Sequence, residues 1–424
     1  MIETKETRQL QPNLKLHLFQ TPLFKTTTIK TYIHLPLDEN ATTNALLVRM
    51  LSRGCQKYPN MRKISVFLDA MYGAIFGADI TKIGERHVIE FHFEFVSRRF
   101  LPKHIDNTRS ALNFIKQIIH RPLLVKGSFK PDYFSQEQAN LKDLIKSIYD
   151  DKISYADERC IQEMCKDEPY RIYEYGELGQ VDKITTKAAL EHYQSSVLTA
   201  PIEIFICGPY GLDRTAKMVA DIFKMPGKKS IASLAIPETI VSKDILKEQM
   251  VRETQDIDQA KLVLGYRTNT TWQDDSIFAL MMASGILGGF PHSKLFRYVR
   301  EKAGLAYYVG SVLEKIKGLM FIRAGINHDK FDAALQIIKE QVEALKAGDI
   351  TDEEFNNTRS GIINRLKAIE DSASSFIDYS LELSIGKRSE TVAELKDRFA
   401  SLTKEDVVAA IQKVKLDTVY FLTK

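Results

Sequence analysis

The stretch FRYVREKAGLAYYV, residues 296–309, is the most informative part of this sequence. Its first half carries apolar residues at the three-to-four-residue spacing of a helix, and residues 305–309 alternate like a strand. Gly304 between them can adopt the left-handed conformation that ends a helix. Arg300 is therefore predicted late in a helix and Tyr307 early in a strand, where a guanidinium and a phenol can grip the backbone or carboxylate of an extended peptide.

The longer segment SKLFRYVREKAGLAYYVGS, residues 293–311, resembles the C-terminal motif of the M16 (pitrilysin or insulinase) metallopeptidases. The resemblance implies that Arg300 and Tyr307 hold a substrate peptide across from a zinc site. Spacing alone favours a salt-bridged helix end beside a core tyrosine, and only the family resemblance over the whole segment favours the peptide-holding role instead.

The two halves of the chain repeat one order of predicted elements. Each half has strands, an apolar helix (residues 44–51 and 276–286), a glycine-bearing turn and further helices before a closing strand. Gly73 occupies in the first half the place that Gly304 has in the second. Such a repeat predicts an α+β protein of two homologous domains, each a mainly antiparallel sheet with helices packed on one face. The resemblance implies that this is the M16/LuxS-like metallohydrolase fold.

A segment with a linker's composition separates the two predicted domains. MPGKKSIASLAIPETIVSKDILK, residues 225–247, has two prolines, a glycine and little periodicity. We predict an N-terminal M16 domain over 1–228 with a degenerate zinc site, a linker over 229–247, and a C-terminal M16 domain over 248–424 that carries the Arg/Tyr motif.

Catalytic M16 members carry an inverted zinc motif, His-x-x-Glu-His, on the first helix of the first domain. Two histidines four residues apart bind zinc from one helix face, and the glutamate takes a proton from the zinc-bound water. The matching positions here are Ala45, Val48 and Arg49, so we expect no metal in this chain. The family's further acidic ligand would fall near Leu144 or Ile145, and neither residue is acidic.

Other catalytic schemes have little support in the sequence. No two of the nine histidines are four residues apart, and lone histidines such as His34 are interpreted as surface residues or as residues with satisfied hydrogen bonds. No Gly-x-Ser-x-Gly elbow or phosphate-binding Gly-x4-Gly-Lys-Ser/Thr loop is present. Cys55 and Cys207 are expected to be buried structural thiols.

Bulk properties favour a soluble globular protein. The chain has 424 residues, 44% hydrophobic and 27% charged, with a net charge of +4 and scattered basic residues, so we expect neither nucleic acid nor membrane as a partner. Its longest apolar run, residues 277–290, is too short to cross a bilayer. Four cysteines without paired spacing and an N-terminus without an apolar signal core predict the cytoplasm.

The resemblance leads to three hypotheses. In the first, the chain is a non-catalytic subunit that offers Arg300 and Tyr307 to a catalytic M16 partner, which carries His-x-x-Glu-His and the zinc, so that a peptide substrate is cut in the heterodimer. In the second, it is a structural or peptide-binding M16-like protein without a peptidase role. In the third, it is an independent enzyme with an unrecognised site. A homodimer in isolation is compatible with all three.

Overall fold

A computed structural model describes residues 4–224, 233–241, 245 and 247–424. These residues form two compact units. Unit 1 comprises the described residues within 1–147, 172–238 and 370–378, and unit 2 comprises those within 148–171, 239–369 and 379–424. The predicted linker over 229–247 lies partly outside the described residues. Each unit is built around one sheet, and each draws a short segment from the other half of the sequence.

The strands of unit 1 run in chain order from β1 to β8: β1 (Thr4–Gln11), β2 (Leu14–Gln20), β3 (Thr26–Pro36), β4 (Ile75–Ile83), β5 (Arg86–Val96), β6 (Leu124–Val125), β7 (Ser128–Phe129) and β8 (Ile202–Gly208). Six of them form a sheet in the order β1-β2-β8-β3-β5-β4, and β6 and β7 form a separate hairpin. The pair β2–β8 is parallel and the other neighbours in the sheet are antiparallel.

The α-helices in the described parts of the chain range from 4 to 18 residues in length. In chain order they are α1 (Ala41–Arg53), α2 (Met61–Ala70), α3 (Asn107–His120), α4 (Pro131–Ser147), α5 (Lys152–Met164), α6 (Leu178–Val181), α7 (Thr186–His192), α8 (Leu212–Phe223), α9 (Ile277–Ser284), α10 (Phe331–Lys346), α11 (Asp352–Ile369), α12 (Ala373–Ile385), α13 (Val392–Ser401) and α14 (Lys404–Ile411). Side chains of Asn60, Asp106 and Thr185 accept a backbone N–H at the starts of α2, α3 and α7, which satisfies donors that a helix leaves unpaired.

The five strands of unit 2 are β9 (Gln249–Thr254), β10 (Ala260–Arg267), β11 (Ala306–Glu314), β12 (Leu319–Ile326) and β13 (Lys415–Thr423). They form a sheet in the order β11-β12-β10-β13-β9, in which only β13–β9 is parallel. Every residue of β10 is buried because helices cover both faces of the sheet. Met164 and Cys160 of α5 lie so close to Gly265 that a Cβ there would meet the Met164 sulfur at 2.6 Å.

The predicted fold class is confirmed: two α+β units, each with a mainly antiparallel sheet. Unit 2 adds one detail, since α5 packs on the opposite face from the other helices, against Val263 and Phe321. The prediction of helices on a single face did not anticipate α5. An amphipathic helix shows that it buries one side, but its sequence does not specify which sheet receives that side.

Segments 148–171 and 370–378 each make buried contacts in the unit that they enter, one through a charged side chain and one through an aromatic ring. Glu168 of segment 148–171 accepts hydrogen bonds from the buried guanidinium of Arg267 and pairs with Lys317 at 2.5 Å. In unit 1, Phe376 of segment 370–378 packs edge-on against Phe19, with ring centroids 4.9 Å apart. These contacts make each segment part of the unit that it enters.

Candidate functional site

The Arg300/Tyr307 motif folds as the sequence predicts in its local structure. Residues Phe296–Lys302 form a π-helical segment, Gly304 has φ +62°, and β11 begins at Ala306. The backbone N–H of Leu305 donates to the carbonyl of Val299 at 3.0 Å and closes the helix end. Since φ near +60° strains residues with a Cβ, glycine is the residue suited to this turn.

Arg300 and Tyr307 are both exposed. The guanidinium of Arg300 lies over the ring of Phe296, 4.8 Å from its centroid, and Tyr307 is 61% exposed, with its hydroxyl 3.4 Å from Oδ1 of Asn327. Within the part of the chain that the structure describes, Arg300 forms no ion pair, and it makes no hydrogen bond or ring contact with Tyr307. Among the described residues, the donors of Arg300 are therefore unused, and the exposed Tyr307 hydroxyl makes only one long hydrogen bond, to Asn327, which it would exchange for a bond to a ligand.

The strand that carries Tyr307 lies at the edge of its sheet, paired with β12 alone among the described strands. One face of this strand packs, at residues 310 and 311, against a π-helical turn, Gly285–Gly289. A Cβ at Gly288 would lie 2.5 Å from the backbone nitrogen of Ser311, so only glycine allows this close approach. The hydroxyl of Ser311 donates to the carbonyl of Ser284 at 2.6 Å. Gly288 therefore lets this turn pack directly on the backbone of β11.

The degenerate zinc positions lie on α1 and do not fit a metal ion. Ala45 and Val48 are buried and have no donor atom for zinc. Arg49 carries a guanidinium group, which has only hydrogen-bond donors and no acceptor atom with which to ligate a metal. Across the described residues there is no group of three or more His, Cys, Asp or Glu side chains placed to hold one.

A cavity of about 390 Å³ opens beside these positions, within unit 1. It lies between α1, α4 and the edge strand β4, and its lining includes Arg49, Arg53, Glu137 and Asp79. Nη1 of Arg53 donates to Oε1 of Glu137, while Nη1 of Arg49 is 3.9 Å from Oε2 of the same carboxylate. A charged cavity therefore occupies the place where catalytic members are expected to hold zinc.

Glu137 is a site residue that sequence reasoning missed. The search for a downstream acid concentrated on Leu144 and Ile145, of which Leu144 is half-buried and Ile145 is buried. Glu137 lies on the buried side of α4, since it falls three residues after Phe134 and four before Leu141. An acid at a core position of an amphipathic helix was the available signal, because such groups are buried only with partners.

A chain of hydrogen bonds joins the start of α1 to the sheet. His192 Nε2 donates to Oδ1 of Asn44 at 2.7 Å, the Asn44 amide donates to Nδ1 of His87 at 3.2 Å, and His87 Nε2 donates to the carbonyl of Glu174 at 2.8 Å. This direction requires a neutral His87, whose Nδ1 accepts, and burial lowers the pKa of His87 to about 4. These two histidines are structural and already hydrogen-bonded.

The interpretation of His34 as a surface residue or as a residue with satisfied hydrogen bonds was wrong. It is almost fully buried, and neither ring nitrogen has a hydrogen-bond partner among the described residues. Its Nε2 lies 3.5 Å from Oε1 of Glu203. Burial lowers the pKa of His34 to about 4, which keeps the ring neutral near pH 7.

The cysteines are buried and unpaired: Cys55, Cys160, Cys165 and Cys207. Burial raises the pKa of Cys165 and of Cys207 to about 12, so neither is a thiolate nucleophile near neutral pH. No helix in the described parts of the chain is both long and apolar enough to cross a bilayer.

The chain is similar to several known proteins. A family profile described as "Peptidase M16 inactive domain" matches residues 183–362. The chain is 33% identical over 423 residues to a Bacillus subtilis protein named "Probable inactive metalloprotease YmfF", covering 100% of this chain and 98% of that one. It superposes on a crystal structure of a conserved protein from Enterococcus faecalis with a TM-score of 0.88 and 27% identity, covering 99% and 98% of the two chains.

A crystal structure of a peptidase M16 inactive domain from Pseudomonas fluorescens shares the fold, with a TM-score of 0.81 and 16% identity over 99% of this chain and 98% of that one. The chain belongs to the M16 peptidase family. Within that family it is an inactive homologue, as expected from Ala45, Val48 and Arg49 at the zinc positions.

Proposed function

We propose that this chain is the non-catalytic subunit of a two-chain M16 peptidase and supplies a peptide clamp made of Arg300 and Tyr307. The observation that carries the proposal is the state of Arg300, a cation at a helix end that has no ion pair among the described residues. Tyr307 supports it, because its hydroxyl is exposed on an edge strand. Edge strands present unpaired backbone groups to which an extended peptide can add.

The clamp binds through directional donors. The guanidinium of Arg300 can donate two parallel hydrogen bonds to a carboxylate, or single bonds to successive peptide carbonyls. The Tyr307 hydroxyl donates to a carbonyl oxygen, and the glycine turn between the two residues fixes their separation. Their role is to position the peptide, which lowers the entropic barrier to cleavage. Zinc and the His-x-x-Glu-His motif belong to the partner in this proposal.

The residues at the zinc positions of α1 also support a pair in which one chain binds the metal and the other binds the peptide. α1 presents Ala45, Val48 and Arg49 where a metalloenzyme needs two histidines and a glutamate. A chain that has lost its own metal ligands but keeps exposed peptide-binding donors is suited to act on a substrate held by a second chain. We place the pair in the cytoplasm, a proposal supported by four cysteines that are buried and unpaired.

A second candidate is a peptide-binding protein without a peptidase role. The cavity beside α1 favours it, since its guanidinium groups can bind a ligand without any partner chain. The two candidates differ in what purified protein does when a catalytic M16 protein is added.

The experiment measures peptide hydrolysis and bound zinc for this chain alone, and for this chain mixed with an M16 protein of the same genome that carries His-x-x-Glu-His. We expect turnover only in the mixture, with zinc in the partner. Arg300→Ala and Tyr307→Phe should each lower kcat/KM by about tenfold or more, the loss expected for a charged hydrogen bond. Both variants should unfold at the wild-type temperature.

Arg297→Ala and Tyr308→Phe are the matched controls, because they lie beside the clamp residues on the same helix and strand. Turnover that is unchanged in both clamp variants would remove the clamp role. Hydrolysis by this chain alone, with stoichiometric zinc, would contradict the proposal entirely. If neither sample hydrolyses peptides but this chain binds them, the peptide-binding role replaces the proposed role in a two-chain peptidase. Light scattering on each sample gives the stoichiometry and detects a homodimer.

A further inference from the structure

We propose that the cavity beside α1 binds a carboxylate and that Arg49 recognises it. This inference rests on the proposed function and extends it by naming a feature of the peptide that unit 1 accepts. The carboxylate is either an acidic side chain or the C-terminus of the peptide. The argument depends on which donors in the cavity are already used, and by what.

Glu137, the buried acid of the cavity, already has its partners. Its Oε1 accepts from Nη1 of Arg53, and its Oε2 accepts from the amide of Asn140 at 3.1 Å. Arg53 also donates to the side chain of Gln136. Nη1 of Arg49 is 3.9 Å from Oε2, which is too long for a hydrogen bond. Arg53 therefore neutralises Glu137, and Arg49 is left as a second cation.

Among the described side chains that line the cavity, the unused donors belong to two guanidinium groups. No described residue accepts a hydrogen bond from Arg49, whose side chain is 30% exposed and lines the cavity. Nε of Arg53 is buried and, among the described residues, has no acceptor. A buried N–H without an acceptor is destabilising, so these donors favour a ligand that brings oxygen atoms. A carboxylate matches the planar donor pair of arginine.

Asp79 is the second acid in the lining, and it does not replace the ligand. Its Oδ1 accepts from the backbone N–H of Ile80 at 2.8 Å and from the hydroxyl of Tyr175 at 3.3 Å. It lies exposed on β4, so water solvates its charge. Two cations and two acids line the cavity, and any preference for a carboxylate thus comes from the free donors rather than from net charge.

The shape of the cavity suits a side chain with an apolar stem. Ala45 and Val48 offer small apolar surfaces beside Arg49, and Phe76 and Ile80 contribute larger ones. A Cβ at Gly77 would meet no atom within 4 Å, so this part of the edge strand leaves open space for a ligand. A glutamate side chain could lie along the apolar surfaces and place its oxygens at Arg49.

The test measures binding of fluorescein-labelled short peptides to the full chain by anisotropy. The probes share one apolar, N-acetylated sequence: one has a central Glu and a C-terminal amide, one a central Gln and an amide, and one a central Gln and a free C-terminus. We expect the Glu peptide, the free C-terminus, or both to bind about tenfold more tightly than the neutral peptide. Which of them does so identifies the source of the carboxylate.

Arg49→Gln should reduce that ratio to about one, and Arg49→Lys, which keeps the charge but loses the planar donor pair, should retain part of it. Arg300→Ala, in unit 2, should keep the ratio, because the ratio measures the carboxylate site alone. The clamp is decided separately, by the effect of Arg300→Ala on turnover of the two-chain mixture. An unchanged ratio in both Arg49 variants overturns the carboxylate site and leaves the clamp.

Equal binding of charged and neutral peptides by the wild-type chain also overturns it, as does the absence of binding by every peptide, because the Arg49 donors need no partner chain. In that last case the proposed function is tested separately, by the turnover of the two-chain mixture. Thermal unfolding of each variant verifies that a lost ratio does not reflect lost structure.

Discussion

Nζ of Lys30 lies 2.6 Å and 2.8 Å from the two carboxylate oxygens of Asp378, although the two residues are 348 positions apart in the chain. The Lys30 side chain is only 5% exposed, and Glu90 is its other ionic partner at 2.9 Å. Oδ1 of Asp378 also accepts from the Tyr32 hydroxyl at 2.7 Å. This carboxylate therefore holds segment 370–378 to the sheet of unit 1 through two different donors.

Asp378→Ala should lower the free energy of unfolding by about 1–3 kcal/mol, because it leaves the buried ammonium of Lys30 with a single partner. Urea unfolding followed by circular dichroism gives the value. Glu191→Ala is the control, since it removes an exposed i,i+4 pair with Lys187 and should cost less than about 0.5 kcal/mol. Equal effects of the two substitutions would show that Asp378 contributes no more than a surface charge.

Glu168→Gln should be more costly, about 3–5 kcal/mol, since it removes the charge that neutralises Arg267 and Lys317, both fully buried. Asp417, 2.8 Å from Nε of Arg267, remains as the other acid. Glu163→Gln on the same segment breaks only the half-exposed pair with Arg159 and should have little effect. A Glu168 variant as stable as wild type would mean that segment 148–171 is held by its apolar contacts alone.

His34 should make stability depend on pH between about 6.5 and 4. Burial lowers its pKa in the folded chain to about 4, whereas the unfolded chain binds the proton near 6.5. The unfolded state therefore binds more protons in this window, and the free energy of unfolding falls as the pH falls, by about 3 kcal/mol for one such group. His34→Leu should make the profile shallower without abolishing it, because burial also lowers the pKa of His87 to about 4. His104→Leu, at an exposed position, should leave the slope unchanged. Unfolding curves collected across this pH window for each variant show which histidine contributes to the pH dependence.

Gly304→Ala isolates the role of the turn. Both Gly304 (φ +62°) and Gly127 (φ +77°) have left-handed backbones with nothing within 4 Å of an added Cβ, so alanine should cost each about 1 kcal/mol of backbone strain. Only the Gly304 variant should also lower peptide turnover of the assembled pair, because only that turn sets Arg300 relative to Tyr307. Similar turnover in the two variants would contradict a positional role for the turn.

The sequence could predict features that depend on local pattern. The helix, the turn at Gly304 and the strand after it are each encoded within a few residues, and the order of elements repeats in both halves. The lack of zinc ligands on α1 follows from residue identity alone. These features need no knowledge of what lies across the chain in space.

What the sequence did not reveal depends on long-range packing. The pairing of Glu137 with Arg53 joins two helices that are 84 residues apart, and the acid was overlooked because its place in α4 was judged by register rather than by burial. His34 was misjudged because its position in a strand does not specify whether the adjacent face is covered. The destination of segment 148–171 likewise depends on the surface of Gly265, whose missing side chain makes room for α5.

The late position of Asp378 has a consequence during synthesis. A ribosome adds about 5–20 residues per second, so the 348 positions that separate Lys30 from Asp378 take roughly 17–70 seconds to make. Glu90, which is made 60 positions after Lys30, can neutralise the ammonium for most of that interval. Unit 1 is therefore completed only after residue 378 has been synthesised, so its last segment joins a sheet whose strands were made much earlier.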